Sequence, residues 1–548
     1  MSINLKQLTV PVEQLSEKDH IIAALQANFG MRGEDIDGFT IKKKSIDARR
    51  KARIVCHYQL EIEAKDEAFW LKKHQTSFSS VESKPSYHPL DAINLASIKS
   101  IRSKPVIVGS GPSGIFAALV LAEAGVPCIV IERGEAVENR LKTVNKLRSR
   151  GLFDEESNYC FGEGGAGTFS DGKLTCGRNH PLIRYLFERW VDFGAPKEIL
   201  YDAHPHIGTD YLMQIAKRMR EYLKARGVEF MFSTKVVGFT YNDQNHKAAT
   251  SRFSVSLEGG QSIDTDHLVL AIGHSARDTY QKLVELGVAI APKPFAIGAR
   301  IEHPQHVIDE IQYGTCSVLP SAEYKLTSNK AGRGIWTFCM CPGGHLLPTS
   351  AQAKHLAING MSYHARNSGF ANAAVVVGIT RDDFFQGDVL DGARFQANIE
   401  KHAYEQGGGS YYTPAQRLND FINARPSKGE LKSTYKPGVT AARLDKILPD
   451  FVVKALQQGL TDYNNKMRGY LCDDAIVAGV ETKTSSPIVI MRGKDLQSVS
   501  HSGLFPCGEG AGFAGGIVSA SLDGVKIGRA VVEDVLANAQ VFAGANPQ

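Results

Sequence analysis

Residues 104–134 read KPVIVGSGPSGIFAALVLAEAGVPCIVIERG, and the reading of this stretch decides the fold. The apolar run Val106 to Val108 stops at Gly109, which with Gly111 and Gly114 spells G-x-G-x-x-G. That is a strand entering a tight turn. Apolar and small residues then continue from Ile115 to Ala124 at helical density without Gly or Pro, and Val126 to Ile131 is a second apolar run closing on Glu132. The unit is β-α-β. Gly109 makes the sharp turn, Gly111 lets the backbone approach a pyrophosphate at the helix N-terminus, and Gly114 lets helix and strand pack closely. Glu132, about 20 residues on, is placed to accept hydrogen bonds from a ribose. Gly109, Gly111, Pro112, Ser113, Gly114, Glu132 and Arg133 are therefore candidate dinucleotide-binding residues.

A chain of 548 residues is too long for one core, so two to four domains are expected. Hydrophobic residues at 43% and charged residues at 22% are ordinary for a globular protein, and a formal charge of +5 makes no global argument for nucleic acid or membrane binding. The apolar runs break well before the roughly 20 residues of a membrane span. The start, MSINLKQLTV, lacks a basic stretch followed by an apolar core, so a cytoplasmic location is expected rather than export. Nine scattered cysteines argue for a reducing compartment. The pair Cys339 and Cys341 is a poor zinc signal without a second pair and reads as incidental thiols, and no metal site is expected.

Outward from the glycine turn, residues 1–98 read as a separate small α/β module. LKQLTVPV is a strand, KDHIIAALQANFG a helix stopped by Gly30, and FTIKKKSID and ARIVCHYQLEIE two further strands, an order that suits a ferredoxin-like module. The run Lys42, Lys43, Lys44, Arg49, Arg50, Lys51 and Arg53 is either a solvated hairpin or a phosphate-contacting face. Ser80 to Ser86 reads as a linker and HPLDAINLASIKSI as a helix. Beyond the β-α-β unit, FGEGGAGTFSDGKLTCGRNHP at 161–181 holds six glycines and is read as a ligand-wrapping loop, with a flexible surface loop as the alternative. DHLVLAIG at 266–273 is a further apolar strand, residues 291–466 an inserted mixed α/β domain, and GLFPCGEGAGFAGGIVSASLDGVKIGRAVVEDVL at 503–536 a strand, a glycine turn and a long helix. The helix start suits a pyrophosphate or the electron-rich edge of a reduced flavin.

Together GSGPSG with Glu132 and Arg133, DHLVLAIG and LFPCGEGAGFAGG resemble the glutathione-reductase-like FAD flavoproteins. More narrowly, HPHIGTD, FAIGARIEHPQ, FCMCPGG and ETKTSSPIVIMR resemble a family of uncharacterised bacterial FAD-dependent dehydrogenases. The resemblance implies FAD as cofactor and an oxidoreductase that moves hydride to or from the flavin, acting on a small molecule. It adds Gly165, Ala166, Thr168, Ser170 and Asp171 of the glycine loop, Val236, Ala271 and Gly273, and Glu509, Gly510, Gly515, Gly516 and Ile517 as cofactor-binding residues, Glu509 standing where Asp is more usual. The expected architecture is α/β (α+β overall): a Rossmann-like FAD-binding domain in two parts, 99–290 and 467–548, the inserted substrate domain 291–466, and the N-terminal module.

A second complete β-α-β fingerprint and a C-x-x-x-x-C pair are both missing, which argues against a pyridine-nucleotide disulfide reductase; electrons come from the substrate or from a transiently visiting NAD(P)H. Candidate catalytic groups are His345 as acid/base, Arg492 as a carboxylate clamp and Cys507 as a thiol beside the cofactor turn. Two rival functions stay open: an RNA-modifying flavoprotein, resting on the basic N-terminal run alone, and a non-catalytic FAD-binding scaffold.

Overall fold

Strand Val106–Val108 sits at the middle of a five-stranded sheet whose members run Leu504–Pro506, Leu268–Leu270, Val106–Val108, Ile129–Ile131, Glu229–Met231. All four pairings are parallel, with Val106 opposite both Leu268 and Ile129. Such strands are covered on both faces, which is why they read as unbroken Val, Ile and Leu. The computed structural model describes residues 2–544 apart from 13–16, 82–86, 98–100, 178, 243–250 and 317, with side chains to 538. Helix Pro112–Glu123, opened by its proline, lies on the sheet beside the long helix Ile517–Gly544. Gly109 has φ +105°, and a Cβ on Gly114 would stand 2.0 Å from the Gly109 carbonyl oxygen. The chain leaves the central strand for Ile129–Ile131 on one side and Leu268–Leu270 on the other, so the cleft at the strand ends opens at a topological switch point.

Between those two strands the chain inserts an antiparallel three-stranded sheet, Val236–Tyr241, Phe253–Leu257 and Ser262–Thr265. The large insertion builds a seven-stranded mixed sheet in the order Thr327–Ser328, Ile335–Cys341, Phe370–Ile379, Phe295–Pro304, Ile476–Glu481, Thr413–Arg417, Val439–Ala441. One of its inner strands, Ile476–Glu481, lies beyond residue 466 and pairs antiparallel with Phe295–Pro304. The insertion therefore closes after Glu481, and the boundary expected at 466 is corrected: the turn after helix Asp450–Lys466 returns the chain to its own sheet rather than to the nucleotide domain.

The N-terminal module has the order βαββαβ, with strands Ile3–Pro11, Ile36–Asp47, Val55–Ala64 and Phe78–Ser80 and helices Glu17–Phe29 and Glu67–Lys73. Its antiparallel sheet runs fourth, first, third, second, the ferredoxin-like arrangement. The last helix and strand are additions to the sequence reading. Residues 82–86 of the expected linker lie outside the described residues. The helix expected at 88–101 is not formed over 88–97, where turns and a short 3₁₀ segment, Leu95–Ser97, take its place; 98–100 lie outside the described residues. The cause is local: Ala92 takes a left-handed φ of +64°, which no right-handed helix can contain. The module docks through its edge strand, the Lys44 N–H donating to the Tyr201 carbonyl and the Ala203 N–H to that of Lys44, both at 2.8 Å. Among the described residues no helix is long and apolar enough to cross a membrane.

Candidate functional site

A cleft of about 630 Å³ runs from the glycine turn to the underside of the inserted sheet. At its nucleotide end lie Gly109, Gly111, Pro112 and Ser113, with Glu132, Arg133, Val236 and Thr279 around them. Glu132 is 5% exposed and serves as a tie: one carboxylate oxygen accepts from the Ser110 N–H and hydroxyl, the other from the N–H groups of Gly134 and Gly162. Those four donors occupy the acceptor sites of a carboxylate, so a ribose hydroxyl there shares an oxygen already in use. Arg133 lies over the Phe161 ring at 4.2 Å and pairs with Glu156 and Asp278.

The glycine-rich loop forms the middle of the cleft through Gly165, Ala166, Gly167 and Ser170. What holds this loop is Arg140, fully buried on helix Val137–Arg150. Its Nε donates to the Asn158 carbonyl at 2.9 Å, and its Nη1 to those of Gly162, Glu163 and Gly165 at 3.2, 2.7 and 2.8 Å. Burial pushes its guanidinium down to about 10, so it stays charged at neutral pH. Across from the loop, Glu509 accepts from the Gly516 N–H and pairs at 3.0 Å with Nδ1 of His274, whose Nε2 faces the Lys483 carbonyl, also at 3.0 Å. Burial raises the Glu509 carboxyl, but His274 and the Gly516 N–H outweigh it and hold the group below its usual range. His274 directly follows DHLVLAIG, and its role is invisible until Glu509 is brought beside it.

At the far end the cleft is walled by Thr337 to Met340 of the inserted sheet, Asn359, and a group of charged residues. Lys173 pairs with Glu323 at 3.1 Å, and His204 contacts the same carboxylate, which pushes its imidazole up. Lys483 is 7% exposed and its ammonium donates to the Ser275 hydroxyl at 3.2 Å. Lys325 is exposed at the same wall.

Of the residues picked from the sequence, Gly109, Gly111, Pro112, Ser113, Glu132, Arg133, Gly165, Ala166, Ser170, Val236, Ala271, Gly273, Glu509, Gly515, Gly516 and Ile517 all line this cleft. Gly114, Thr168, Asp171 and Gly510 stand behind it. The Thr168 hydroxyl donates to the Glu163 carbonyl, Gly510 packs on the backbone of Gly273, and Asp171 is a buried anchor that accepts from Arg366 Nη2 at 2.7 Å and from the Ser362 hydroxyl, tying the inserted domain down. None of the three catalytic candidates lines the cleft, and each is corrected. Arg492 is consumed by Asp523 at 2.7 Å, the Pro506 carbonyl and the Phe513 ring. Cys507 is fully buried, which pushes its thiol well up. His345 lies on strand His345–Pro348 against Tyr363, and burial lowers its imidazole. Within the basic run, Lys42 pairs with Glu61, Lys44 with Glu17 and Arg49 with Asp47, which spends three of its cations inside the module. Among the described residues no cluster could hold a metal ion.

Family models match three parts of the chain: an FAD binding domain at residues 102–277, the C-terminal domain-like part of an FAD-dependent protein at 294–484, and a domain of unknown function at 2–63. An uncharacterized protein of Clostridium beijerinckii is 42% identical over 515 residues, covering 92% of this chain and 94% of its own length. Among solved structures, a flavoprotein/dehydrogenase from Cytophaga hutchinsonii is similar with TM-score 0.36 and 11% identity over 81% of this chain and 80% of that one. The halogenase PltM gives TM-score 0.37 and 10% identity over 80% and 70%. The residues present fit FAD. A Cβ built on Gly515 or Gly516 meets nothing within 4 Å, leaving open space before helix Ile517–Gly544, and the cleft continues from there to the glycine turn.

Proposed function

We propose a function for a chain that belongs to the same family as its Clostridium beijerinckii relative and binds FAD: it is an oxidoreductase that passes hydride between the flavin and a small, negatively charged organic molecule held beneath the inserted sheet. The observation that carries this reading is one continuous cleft with a dinucleotide turn at one end and, at the other, Lys173, Lys325, Lys483 and His204 set against the single carboxylate of Glu323. Gly109 to Ser113 would hold the pyrophosphate, and Gly165 to Ser170 with Gly515 to Ile517 would hold the ring. When bound, FAD supplies two-electron hydride chemistry. The chain's own residues do the rest. Glu509, kept ionised, accepts hydrogen bonds along the sugar chain, and the sheet strand Ile335–Cys341 walls the far end. A glutathione-reductase-like arrangement is the finer reading of the same motifs, supported by the glycine turn and by Glu509 in the last glycine cluster. Among the described residues there is one parallel sheet of the nucleotide-binding kind, which supports entry of electrons from the substrate or from a visiting NAD(P)H.

Anaerobic mixing with a panel of donors, followed by flavin absorbance, tests this. Carboxylate-bearing donors should bleach the flavin faster than neutral analogues. Lys173→Met should raise KM for such a donor about tenfold, the value of one charge-assisted contact near 1.5 kcal/mol, with kcat little changed because the contact serves binding alike in ground and transition states. No bleaching by any donor would sink the oxidoreductase reading. Equal KM in Lys173→Met and the parent would remove the anionic substrate.

A further inference from the structure

The strand Ile335–Cys341 is interrupted where it meets the cleft. Its ladder with Phe370–Ile379 is in register to Phe338 opposite Ala374 and resumes at Cys341 opposite Asn372, so the chain gains one residue over its partner. Bulges of this kind re-aim a side chain. Here the residue turned out is Cys339, held at φ +44° and lining the cleft, while Cys341 is fully buried behind it. A left-handed φ at a residue that is not glycine costs free energy and persists where the surroundings over-determine it. The surroundings do so. Arg300, fully buried, donates from Nη2 to the Cys339 carbonyl at 2.6 Å and places the same nitrogen 4.0 Å from Cys341 Sγ. It is itself fixed by Asn359 at 2.5 Å, Asn372 at 3.0 Å and the buried carboxylate of Glu481 at 3.1 Å. Cys341 Sγ lies 3.4 Å from the Cys339 carbonyl oxygen.

We propose that Cys339 and Cys341 are a redox pair that passes two electrons from the reduced cofactor to a low-molecular-weight disulfide bound at the cationic end of the cleft. The inference rests on the oxidoreductase reading of this cleft and names its substrate class. The chain lacks the C-x-x-x-x-C pair of the disulfide reductases, and the inserted sheet supplies a dithiol from a different place in the sequence.

The chemistry balances. The Cys339 thiolate attacks one substrate sulfur, the substrate S–S bond breaks, and the first half departs as a thiolate that takes up the proton released from Cys339. Cys341 then attacks the Cys339 sulfur, the mixed disulfide breaks, and the second half leaves with the proton of Cys341. The Cys339–Cys341 bond so formed is cleaved back to two thiols by two electrons and two protons from the reduced cofactor, itself recharged by an organic or nicotinamide donor. Cys339 suits the attacking role. The neighbouring Cys341 side chain draws its thiol down to about 6 against the opposing effect of burial, with the charges of Arg300 and Lys173 adding to the shift. Cys341, hydrogen-bonded to Cys339 and buried, is pushed well up and resolves rather than initiates.

The test uses the full-length holoprotein, reduced and then exposed to oxidised glutathione, acid-quenched, alkylated and mapped by peptide mass. The peptide holding Cys339 and Cys341 should lose both alkyl groups, and Cys160, which lines the same cleft, should keep its own. Cys341→Ser, with Cys341→Ala as the second variant, should instead hold a glutathione adduct on Cys339, and Cys339→Ser should form neither product. Labelling of Cys339 by iodoacetamide should lose rate as pH falls through about 6, where the thiolate is protonated, and level off above it. Both cysteines alkylated after oxidised glutathione overturns the pair. Flavin bleaching by a donor with both thiols untouched overturns this inference and leaves the oxidoreductase reading intact. Disulfide formation with no donor bleaching the flavin overturns that reading and, with it, the electron supply proposed for the pair.

Discussion

Gly111→Val is expected to leave the protein folded and to weaken FAD binding roughly 10- to 100-fold, the effect of about 1–3 kcal/mol of overpacking. Gly111 has φ −71° and ψ −179°, a backbone any residue adopts, and a Cβ placed on it finds its nearest neighbour, the Gly165 Cα, at an ordinary 3.7 Å. The Cβ thus meets no protein atom at close range. The methyls it carries would occupy the space between the turn and the glycine loop in which the pyrophosphate is proposed to bind. Gly114→Val makes the contrast, because its Cβ would stand 2.0 Å from the Gly109 carbonyl oxygen and must push strand and helix apart before any cofactor arrives. Flavin titration of the stripped proteins with circular dichroism separates the two. Unchanged affinity in Gly111→Val would remove this turn from the site.

Arg140→Met is expected to cost the apoprotein about 2 kcal/mol or more, since it takes the guanidinium donor from the Asn158 and Gly165 carbonyls at roughly 1–3 kcal/mol each, while those of Gly162 and Glu163 keep the Gly165 N–H and the Thr168 hydroxyl. Those carbonyls, of Asn158, Gly162, Glu163 and Gly165, belong to the loop that walls the cleft, so FAD affinity should fall with stability. Methionine keeps much of the volume. The loss is one of hydrogen bonds rather than of packing. Arg133→Met, whose ion-pair partners Glu156 and Asp278 are about two-fifths exposed, is expected to cost under about 1 kcal/mol. Thermal unfolding of the FAD-free variants measures both. Equal midpoints for Arg140→Met and the parent would show that the loop holds itself.

Why one arginine matters and another hardly does was not legible in the sequence, where Arg140 sits in VENRLKTVNKLRSR and reads as one more charge on a solvated helix. Its acceptors are backbone carbonyls of another segment, and no side-chain pattern announces them. What was legible is whatever local covalent geometry decides: the glycine turn, the apolar strands beside it, the helix ended by Gly30, the second glycine cluster before its helix. Cys339 was discounted because a thiol two residues from another carries no message until a bulge turns one of them into a cleft. The end of the insertion was misplaced for a related reason. Ile476–Glu481 looks like any strand, and only its partner, Phe295–Pro304, far back in the chain, tells which sheet owns it. Arg492 and Cys507 lay close to a true motif in sequence, yet one is tied to Asp523 and the other is sealed in the core, and neither partner is written beside it in the chain.

The sheet that carries the cofactor turn takes its outermost strand, Leu504–Pro506, and the helix over its face, Ile517–Gly544, from the last stretch of the chain, while its centre is Val106–Val108. On the ribosome this becomes a matter of timing. Once Leu268–Leu270 has been made, more than two hundred residues remain before it gains its neighbour Leu504–Pro506, a wait of roughly 10–50 seconds at the usual 5–20 residues per second. Through that interval the nascent chain carries an apolar parallel strand with an open edge, the form of exposure that recruits chaperones or aggregates. In that interval one wall of the cleft, Glu509 and Gly515 to Ile517, has not yet been synthesised. The complete cleft thus exists only once the last strand has closed the sheet, and a chain that stops before it keeps Leu268–Leu270 unpaired on that side.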